Sequence, residues 1–430
     1  MNKTRVVVAG GGFAGLQIVK HLDKKKFDVT VIDRNNYHSF PPLFYQVASS
    51  GLNPTDIAFP LRREFRRFVP DGTRFHMGQV KSVDVKAKTI TTDLETIGYD
   101  ILVMALGTTN NFFGNPEFLD KVYTLKSTDE AIRLRNETLH RLELASIEPD
   151  REKRRRMLSF TVVGGGPAGV EIAGALGEAK SYILSREYPT VPEEDMTINL
   201  LEGTDKLLRT MSPEASVKAL EGLKKLKVNV MLGRLLKSYD DDKAVLDDGS
   251  VLDTGMMIWT AGVKATPVEF NGVAEGTTLT GPGGRIVTDD RLRVKGVDDI
   301  YAIGDQGYYS SDKYERGLPQ LAQVAIQQGR YIAEALNTGD FSRPFSYRDK
   351  GSMATIGRNM AVADIGKLHL SGFMAWCAWM WIHLISLMGM RNKLNVLVNW
   401  IWAYFTHNTS MRMLFRGSAH PRRGVLDDKG

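Results

Sequence analysis

The chain has 430 residues, with 56 lysines and arginines against 50 aspartates and glutamates for a net charge of +6, and 43% of its residues are hydrophobic. Such a length is too great for one core and suits two or three domains with ample apolar side chains to bury. The single cysteine, Cys377, excludes an intrachain disulfide, a dithiol redox pair and a cysteine-based metal site, and no metal site of any kind is predicted.

Met1 to Arg5 lead directly into an apolar strand, which leaves no room for a signal peptide. Val6-Val7-Val8-Ala9-Gly10-Gly11-Gly12-Phe13-Ala14-Gly15 reads as strand, glycine turn and helix start, and the following strand, Val29 to Ile32, ends in Asp33. In such a fingerprint Gly10 makes the tight turn, Gly12 lets the backbone approach a phosphate and Gly15 lets the helix pack on the strand, while the helix N-terminus receives the anion. Asp33 falls where a carboxylate accepts hydrogen bonds from a ribose. The whole succession of strand, loop, helix, strand and acid predicts a bound dinucleotide. Further along, Tyr99 to Thr108 is an apolar strand closed by Gly107.

The run Arg151-Glu152-Lys153-Arg154-Arg155-Arg156 reads as the solvated end of a linking helix. It lacks interleaved aromatic residues and any nucleic-acid motif, so no nucleic-acid partner is expected despite the basic balance. Directly after it, Phe160-Thr161-Val162-Val163-Gly164-Gly165-Gly166-Pro167-Ala168-Gly169 repeats the fingerprint, and a second dinucleotide is expected. Its following strand, Ile198 to Leu201, ends in Glu202, set later than usual by a stretch over 186–195 that reads as a surface insertion. Glu202 favours a free ribose 2′-hydroxyl over a 2′-phosphate, hence NAD over NADP. Glu171 lies just past the last glycine, in what reads as the first turn of the helix, where the dipole alone accounts for an acid. Met257 to Gly262 reads with Tyr99 to Thr108 as a pair of crossover strands, one closing each nucleotide domain.

Asp299-Ile300-Tyr301-Ala302-Ile303-Gly304-Asp305 is an apolar strand ending in Gly-Asp, and Leu318 to Gly329 contains Ala-Gln-x-Ala-x-Gln. That spacing sets Gln323 and Gln327 on one helix face, where both amides can donate to a carbonyl oxygen, or simply lie solvated. From about Phe345 the chain changes character. Phe373 to Met390 has no formal charge if His383 is neutral, and as a helix it would run about 27 Å, short of a bilayer core. Leu394 to Phe405 reads as an amphipathic helix with Asn392, Asn395 and Asn399 on one stripe. Two helices lying on a membrane fit better than a span, with a hairpin buried in a dimer interface as the alternative. The bases Arg391, Lys393, Arg412, Arg416, Arg422, Arg423 and Lys429 against Asp427 and Asp428 leave this tail at +5, drawn to an anionic leaflet.

From about Arg5 to Arg330 these segments, in this order, resemble the two-dinucleotide-binding-domain flavoproteins, which implies that Asp305 holds the ribityl chain of a flavin. The disulfide reductases of that superfamily and the sulfide:quinone oxidoreductases need cysteine pairs beside the flavin, and single-cysteine peroxidases need one near Tyr37 to Gln46, which has no sulfur. Electrons are therefore expected to pass from the flavin directly to a diffusible acceptor. Ala-Gln-x-Ala-x-Gln, Asn36-Tyr37-His38, Pro42-Leu43, the Gly-Pro-Ala-Gly-Val-Glu-Ile-Ala-Gly around Glu171, and the tail are similar to type II NADH dehydrogenases, the monotopic NADH:quinone oxidoreductases, over essentially the whole chain.

This likeness implies FAD contacts from Gly10, Gly11, Gly12, Phe13, Ala14, Gly15, Asp33, Arg34, His38, Val80 (through its backbone to adenine), Gly107, Asp305 and Ala322. It implies NADH contacts from Gly164, Gly166, Gly169, Glu202 and Gly262, a catalytic part for Glu171, and quinone contacts from Gln323 and Gln327. His38 is expected in a loop, neutral or charged near pH 7, and either on the surface or reaching phosphate.

The fold class expected is α/β, with two Rossmann-type dinucleotide-binding domains plus a C-terminal helical membrane-binding segment: an FAD domain over 1–115 and 275–345, an NADH domain over 116–274, and the membrane segment over 346–430. The function expected is hydride transfer from NADH to FAD and two electrons on to a membrane quinone, without proton pumping. The protein is expected on the cytoplasmic face of the cell membrane as a peripheral homodimer. A reductase of a soluble acceptor and a nonenzymatic NADH-sensing flavoprotein are the rival readings.

Overall fold

The computed structural model describes residues 3–406 and 412–414. The chain packs as two compact units, the first made of 1–39, 58–110 and 263–350 and the second of 40–57, 111–262 and 351–430.

The first unit is built on a five-stranded parallel sheet in the order Ile300–Ala302, Ile101–Met104, Thr4–Ala9, Phe27–Asp33, Arg74–Met77. Val6, Val7, Val8 and Ala9 are all buried, the unbroken apolar run of a parallel strand covered on both faces. Helix Phe13–His21 packs on helix Ala322–Thr338, and Gly329 makes that approach possible, because a Cβ there would meet the Ala14 carbonyl and stand 2.8 Å from the Gln17 side chain. A small sheet of Glu269–Asn271, Val80–Asp84, Thr89–Thr92 and Thr96–Gly98 adds Val80, Val83 and Ile90 to a core with Val7, Ile32 and Met104.

The second unit repeats the plan with the order Tyr123–Thr124, Met256–Trp259, Ser159–Val163, Thr197–Glu202, Asn229–Leu232. Its nucleotide helix, Pro167–Glu178, runs on through a π-turn, Ala179–Leu184, into Ser185–Glu187, so the expected surface insertion begins as a continuation of helix. A three-stranded antiparallel sheet, Ser352–Gly357, Met360–Ile365 and Leu368–Ser371, lies against this helix. Gly174 permits the contact, since a Cβ there would collide with the Ile356 carbonyl.

The two apolar crossover strands lie one in each unit. Ile101–Met104 and Met256–Trp259 are interior strands of two different parallel sheets, where side chains buried on both faces give near-unbroken apolar runs. The antiparallel pair is formed one step later, Thr108–Asn110 with Val263–Ala265, after Gly107 (φ 69°) and Gly262 (φ 75°) have turned the chain. Packing therefore divides the chain at 110/111 and 262/263, where the sequence suggests 115 and 275.

The basic run 151–156 is more than a solvated helix end. Asp150 caps helix Arg151–Met157, and Arg151 and Arg154 reach the fully buried Asp195 at 3.0 and 2.8 Å. Burial acts to raise the Asp195 carboxyl, but these two guanidinium hydrogen bonds outweigh it and hold it below the ordinary range.

The C-terminal helices are Gly372–Ser386 and Met390–Thr406, so the apolar helix stops four residues earlier than Met390, at a break containing Gly389 (φ 80°). No helix among the described residues is long and apolar enough to cross a membrane. The second helix is amphipathic in the inverted sense. Asn395 and Asn399 donate to Asp56 at 2.9 and 3.2 Å, and Asn392 to the Thr55 carbonyl at 3.3 Å, so the polar stripe faces protein. Leu394, Val398, Ile401, Trp402 and Phe405 are exposed instead, as are Phe373, Met374, Trp381 and Ile385 on the first helix. Of the basic tail, Arg412 is described, paired with Glu187; Arg416, Arg422, Arg423, Asp427, Asp428 and Lys429 lie outside the described residues.

Candidate functional site

The two glycine loops share one backbone design. Gly10 (φ 115°) and Gly164 (φ 110°) take conformations that side chains rarely adopt, and a Cβ on Gly15 or Gly169 would run into the carbonyl of Gly10 or Gly164. At Gly12 and Gly166 a Cβ would meet nothing within 4 Å, so backbone faces open space where a pyrophosphate passes. Neither helix Phe13–His21 nor Pro167–Glu178 has a side-chain cap or an acid in its first turn, which leaves the N–H groups and positive dipole end to an anion. The residues present thus fit two dinucleotides.

The acids at the strand ends hold the loops as well as facing the ribose position. Asp33 accepts from Gly11 N at 2.7 Å and Asn35 N at 2.8 Å. Glu202 accepts from Gly165 N at 2.6 Å and from the Thr204 N–H and hydroxyl at 2.8 and 2.7 Å. Gly165, absent from the expected contacts, is therefore the counterpart of Gly11.

Around the first loop, His38 departs from expectation. It lies buried on strand Tyr37–Ser39, its Nδ1 3.1 Å from the Gly11 carbonyl and its ring edge-on to Phe13, and burial lowers its pKa to about 4. Burial favours the neutral ring, which braces the loop from behind, so a surface position does not apply. Arg34 is exposed, and Val80 buries its side chain in the unit's core, leaving its backbone for any ligand contact. Asp305 sits in the turn Gly304–Gln306, with the Thr108 hydroxyl 3.4 Å away, and Ala322 opens helix Ala322–Thr338.

On that helix Gln323 and Gln327 do share a face, and both are engaged with the segment beyond it. Gln323 accepts from Lys350 N at 2.9 Å and lies 3.4 Å from Asp349, while Gln327 accepts from Arg348 N at 3.0 Å and donates to the Arg348 carbonyl at 2.9 Å. The two amides act as a clasp on residues 348–350.

Glu171 lies beyond the first turn of its helix, which starts at Pro167, and its carboxylate accepts from Thr355 N at 3.3 Å, so it does not cap the helix. It is buried, and burial pushes its carboxyl up to about 8 against the pull of the Thr355 N–H. With Tyr45, Gln46, Glu178, Thr355 and Trp379 it lines a cavity of about 200 Å³ inside the second unit. The π-turn after Glu178 contributes Ala179, Tyr182 and Ile183 to the wall, a helical irregularity of the kind that accompanies functional sites. Trp379 stacks on His383, whose pKa burial lowers to about 4, so the apolar helix carries no charge there.

Residues 4–329 match the pyridine nucleotide-disulphide oxidoreductase family and residues 350–408 match the NDH2 C-terminal domain. The chain is 36% identical to the type II NADH:quinone oxidoreductase NdhA of Mycobacterium tuberculosis, over 92% of this chain and 86% of the relative. It belongs to the type II NADH:quinone oxidoreductases. It is also 30% identical to an internal alternative NAD(P)H-ubiquinone oxidoreductase A1 of Arabidopsis thaliana, over 94% of this chain and 84% of that protein. Among solved structures, NDH2 of Plasmodium falciparum in complex with NADH superposes with a TM-score of 0.86 at 21% identity, covering 96% of this chain and all of that one.

In this type II NADH:quinone oxidoreductase the disulphide chemistry of the broader family is excluded by the lone Cys377. Several residues that shape its sites carry no motif signal. Gln328 accepts from Gly304 N at 2.6 Å, Gln306 accepts from Leu106 N at 2.8 Å, and Gln320 donates to the Asp305 carbonyl at 3.1 Å, so three glutamines set the Gly304–Gln306 turn. Tyr45 and Thr355 join Glu171 only through the fold. Among the described residues no cluster could hold a metal ion.

Proposed function

We propose that this chain, an NADH:quinone oxidoreductase without a proton pump, holds FAD on the Gly10–Gly15 loop and receives NADH on the Gly164–Gly169 loop. The flavin supplies two-electron chemistry when bound. The rest is done by side chains and backbone. Asp33 and Glu202 orient the riboses, Asp305 and Ala322 face the flavin chain, and Gly107 and Gly262 let backbone come close. Glu171 works at the quinone end of the reaction, where a carboxyl titrating near 8 can be protonated or ionised at working pH. Gln323 and Gln327 could offer amides to a quinone carbonyl only by leaving the 348–350 clasp, and neither lines the cavity that holds Glu171.

The observation that carries this reading is the pairing of two matched nucleotide loops with a buried carboxylate-lined cavity on the helix that the second loop starts. The quinone enters that cavity. The exposed apolar faces of Gly372–Ser386 and Met390–Thr406 rest on the cytoplasmic leaflet, the basic tail adds attraction to anionic lipid, and a homodimer forms near the same segment. Burying one such face contributes several kcal/mol at about 25 cal/mol per Å².

Two-stage stopped-flow tests it. NADH should reduce the flavin anaerobically, and a lipid-embedded quinone should then reoxidise it. Reoxidation by soluble dyes alone, together with failure of the chain to bind anionic liposomes, would replace this reading with a soluble-acceptor reductase.

A further inference from the structure

The cavity wall contains a hydrogen-bonded chain whose polarity is fixed by its ends. The Trp400 indole N–H lies 2.7 Å from Gln46 Oε1, and an indole can only donate, so the Gln46 oxygen must face Trp400. The Gln46 Nε2 then points to the Tyr45 hydroxyl at 2.8 Å and can only donate to it. Thr355 Oγ1, 3.0 Å away, donates to the same phenolic oxygen. Tyr45 thus accepts twice, and its own hydroxyl hydrogen has no acceptor among the described residues. The residue is buried, lines the cavity and shares Thr355 with Glu171, whose carboxylate takes the Thr355 N–H at 3.3 Å. Leaving a buried donor unspent is costly, and with Gln46 and Thr355 both donating to the phenolic oxygen, its hydrogen is left for whatever occupies the cavity, as is the buried Trp379 indole N–H, which has no partner among the described residues.

We infer that the Tyr45 hydroxyl is the hydrogen-bond donor to a carbonyl oxygen of the bound quinone, held in place by Gln46, Trp400 and Thr355. The inference rests on the cavity being the quinone end of the reaction. The edge-on ring of Trp379, 6.2 Å from that of Tyr45, limits the phenol's rotation. Burial first, and then the neighbouring charge of Glu171, raise the phenol above its ordinary range, so Tyr45 stays protonated and a donor throughout working pH. A donor fixed in this way polarises the carbonyl as electrons arrive, and it does so without reorganisation.

The test uses the full-length flavoprotein in anionic phospholipid vesicles, with menadione carrying carbon-13 at both carbonyls as the probe. Infrared difference spectra of wild type should show a labelled carbonyl band shifted down relative to Tyr45→Phe, and the KM for menadione should rise about 5- to 10-fold in the variant, the loss of one hydrogen bond. If Tyr45→Phe does not fold, a fluorinated tyrosine at position 45, a stronger donor, should move the band further down. An unmoved band in either protein overturns the assignment. Ala175→Phe, which fills the cavity, separates this from the underlying reading. If it blocks menadione while the carbonyl band ignores Tyr45, only the Tyr45 assignment falls. If it leaves the menadione KM unchanged, the cavity is not the quinone site and both fall.

Discussion

The two nucleotide loops are near copies in backbone and differ in what stands behind the helix that each one starts. Behind the first, helix Phe13–His21 is closed off, with Gly329 packed on Ala14 and the neutral His38 bracing Gly11. Behind the second, helix Pro167–Glu178 carries Glu171 and Glu178 to a cavity wall, and a π-turn widens that wall. The loop alone makes a nucleotide site. The opposite face of its helix decides whether the site only stores a cofactor or is joined to a second reaction.

The largest effects should come from breaking one loop and leaving the other. Gly15→Ala and Gly169→Ala each drive a Cβ into a backbone carbonyl, and overpacking of this kind costs about 1–3 kcal/mol, roughly 5- to 150-fold in affinity. Gly15→Ala should purify without flavin absorbance, whereas Gly169→Ala should stay yellow and resist reduction by NADH. If both variants lose flavin equally, the division of labour between the loops is wrong.

Glu171→Gln sharpens the contrast between the two helices. With its folded pKa near 8 against an ordinary 4.5, this carboxyl is protonated in the folded chain where the unfolded chain has already ionised it. The folded state therefore binds the extra proton, and stability falls as pH rises from about 4.5 through about 8. Glu171→Gln should flatten that slope in urea titrations and remove an ionisation near 8 from the quinone turnover profile. A turnover unchanged at every pH leaves Glu171 with a structural part only.

Gln323→Ala with Gln327→Ala should leave anaerobic flavin reduction intact and slow reoxidation by quinone up to about tenfold, as two hydrogen bonds of about 1 kcal/mol imply. A lowered Tm with normal reoxidation would reduce both residues to the clasp on 348–350. The smallest effect is expected at Glu202→Ala, where the KM for NADH should rise about 5-fold and the preference over NADPH narrow, because the lost carboxylate both faces the ribose and anchors Gly165. Equal use of NADPH by the wild type would contradict the assignment.

Much of the nucleotide chemistry is legible without coordinates because each fingerprint acts over a short span. Gly10 to Asp33 contains the turn, the close approach, the helix start and the acid, and their relations follow from local backbone geometry. The same reasoning places one crossover strand in each nucleotide domain but not its neighbours, since an apolar run such as Met256–Trp259 says that it is buried but not which strands it pairs with. It also misses the burial of His38 behind Gly11, and it misses that the arginines of the run 151–156 close on Asp195 from another part of the chain.

What the sequence by itself determined is the pair of dinucleotide loops, the exclusion of thiol chemistry and the apolar character of the C-terminal helices, all consequences of residue type and short-range spacing. What only the tertiary structure decided is the cavity, drawn from residues 45–46, 171–184, 355–358 and 376–404, and the sense in which helix Met390–Thr406 is turned. Its Asn395 and Asn399 bind Asp56, and Leu394, Ile401 and Trp402 face outward. A periodic pattern shows that a helix has two faces, and the partner that satisfies the polar one decides which face is left exposed.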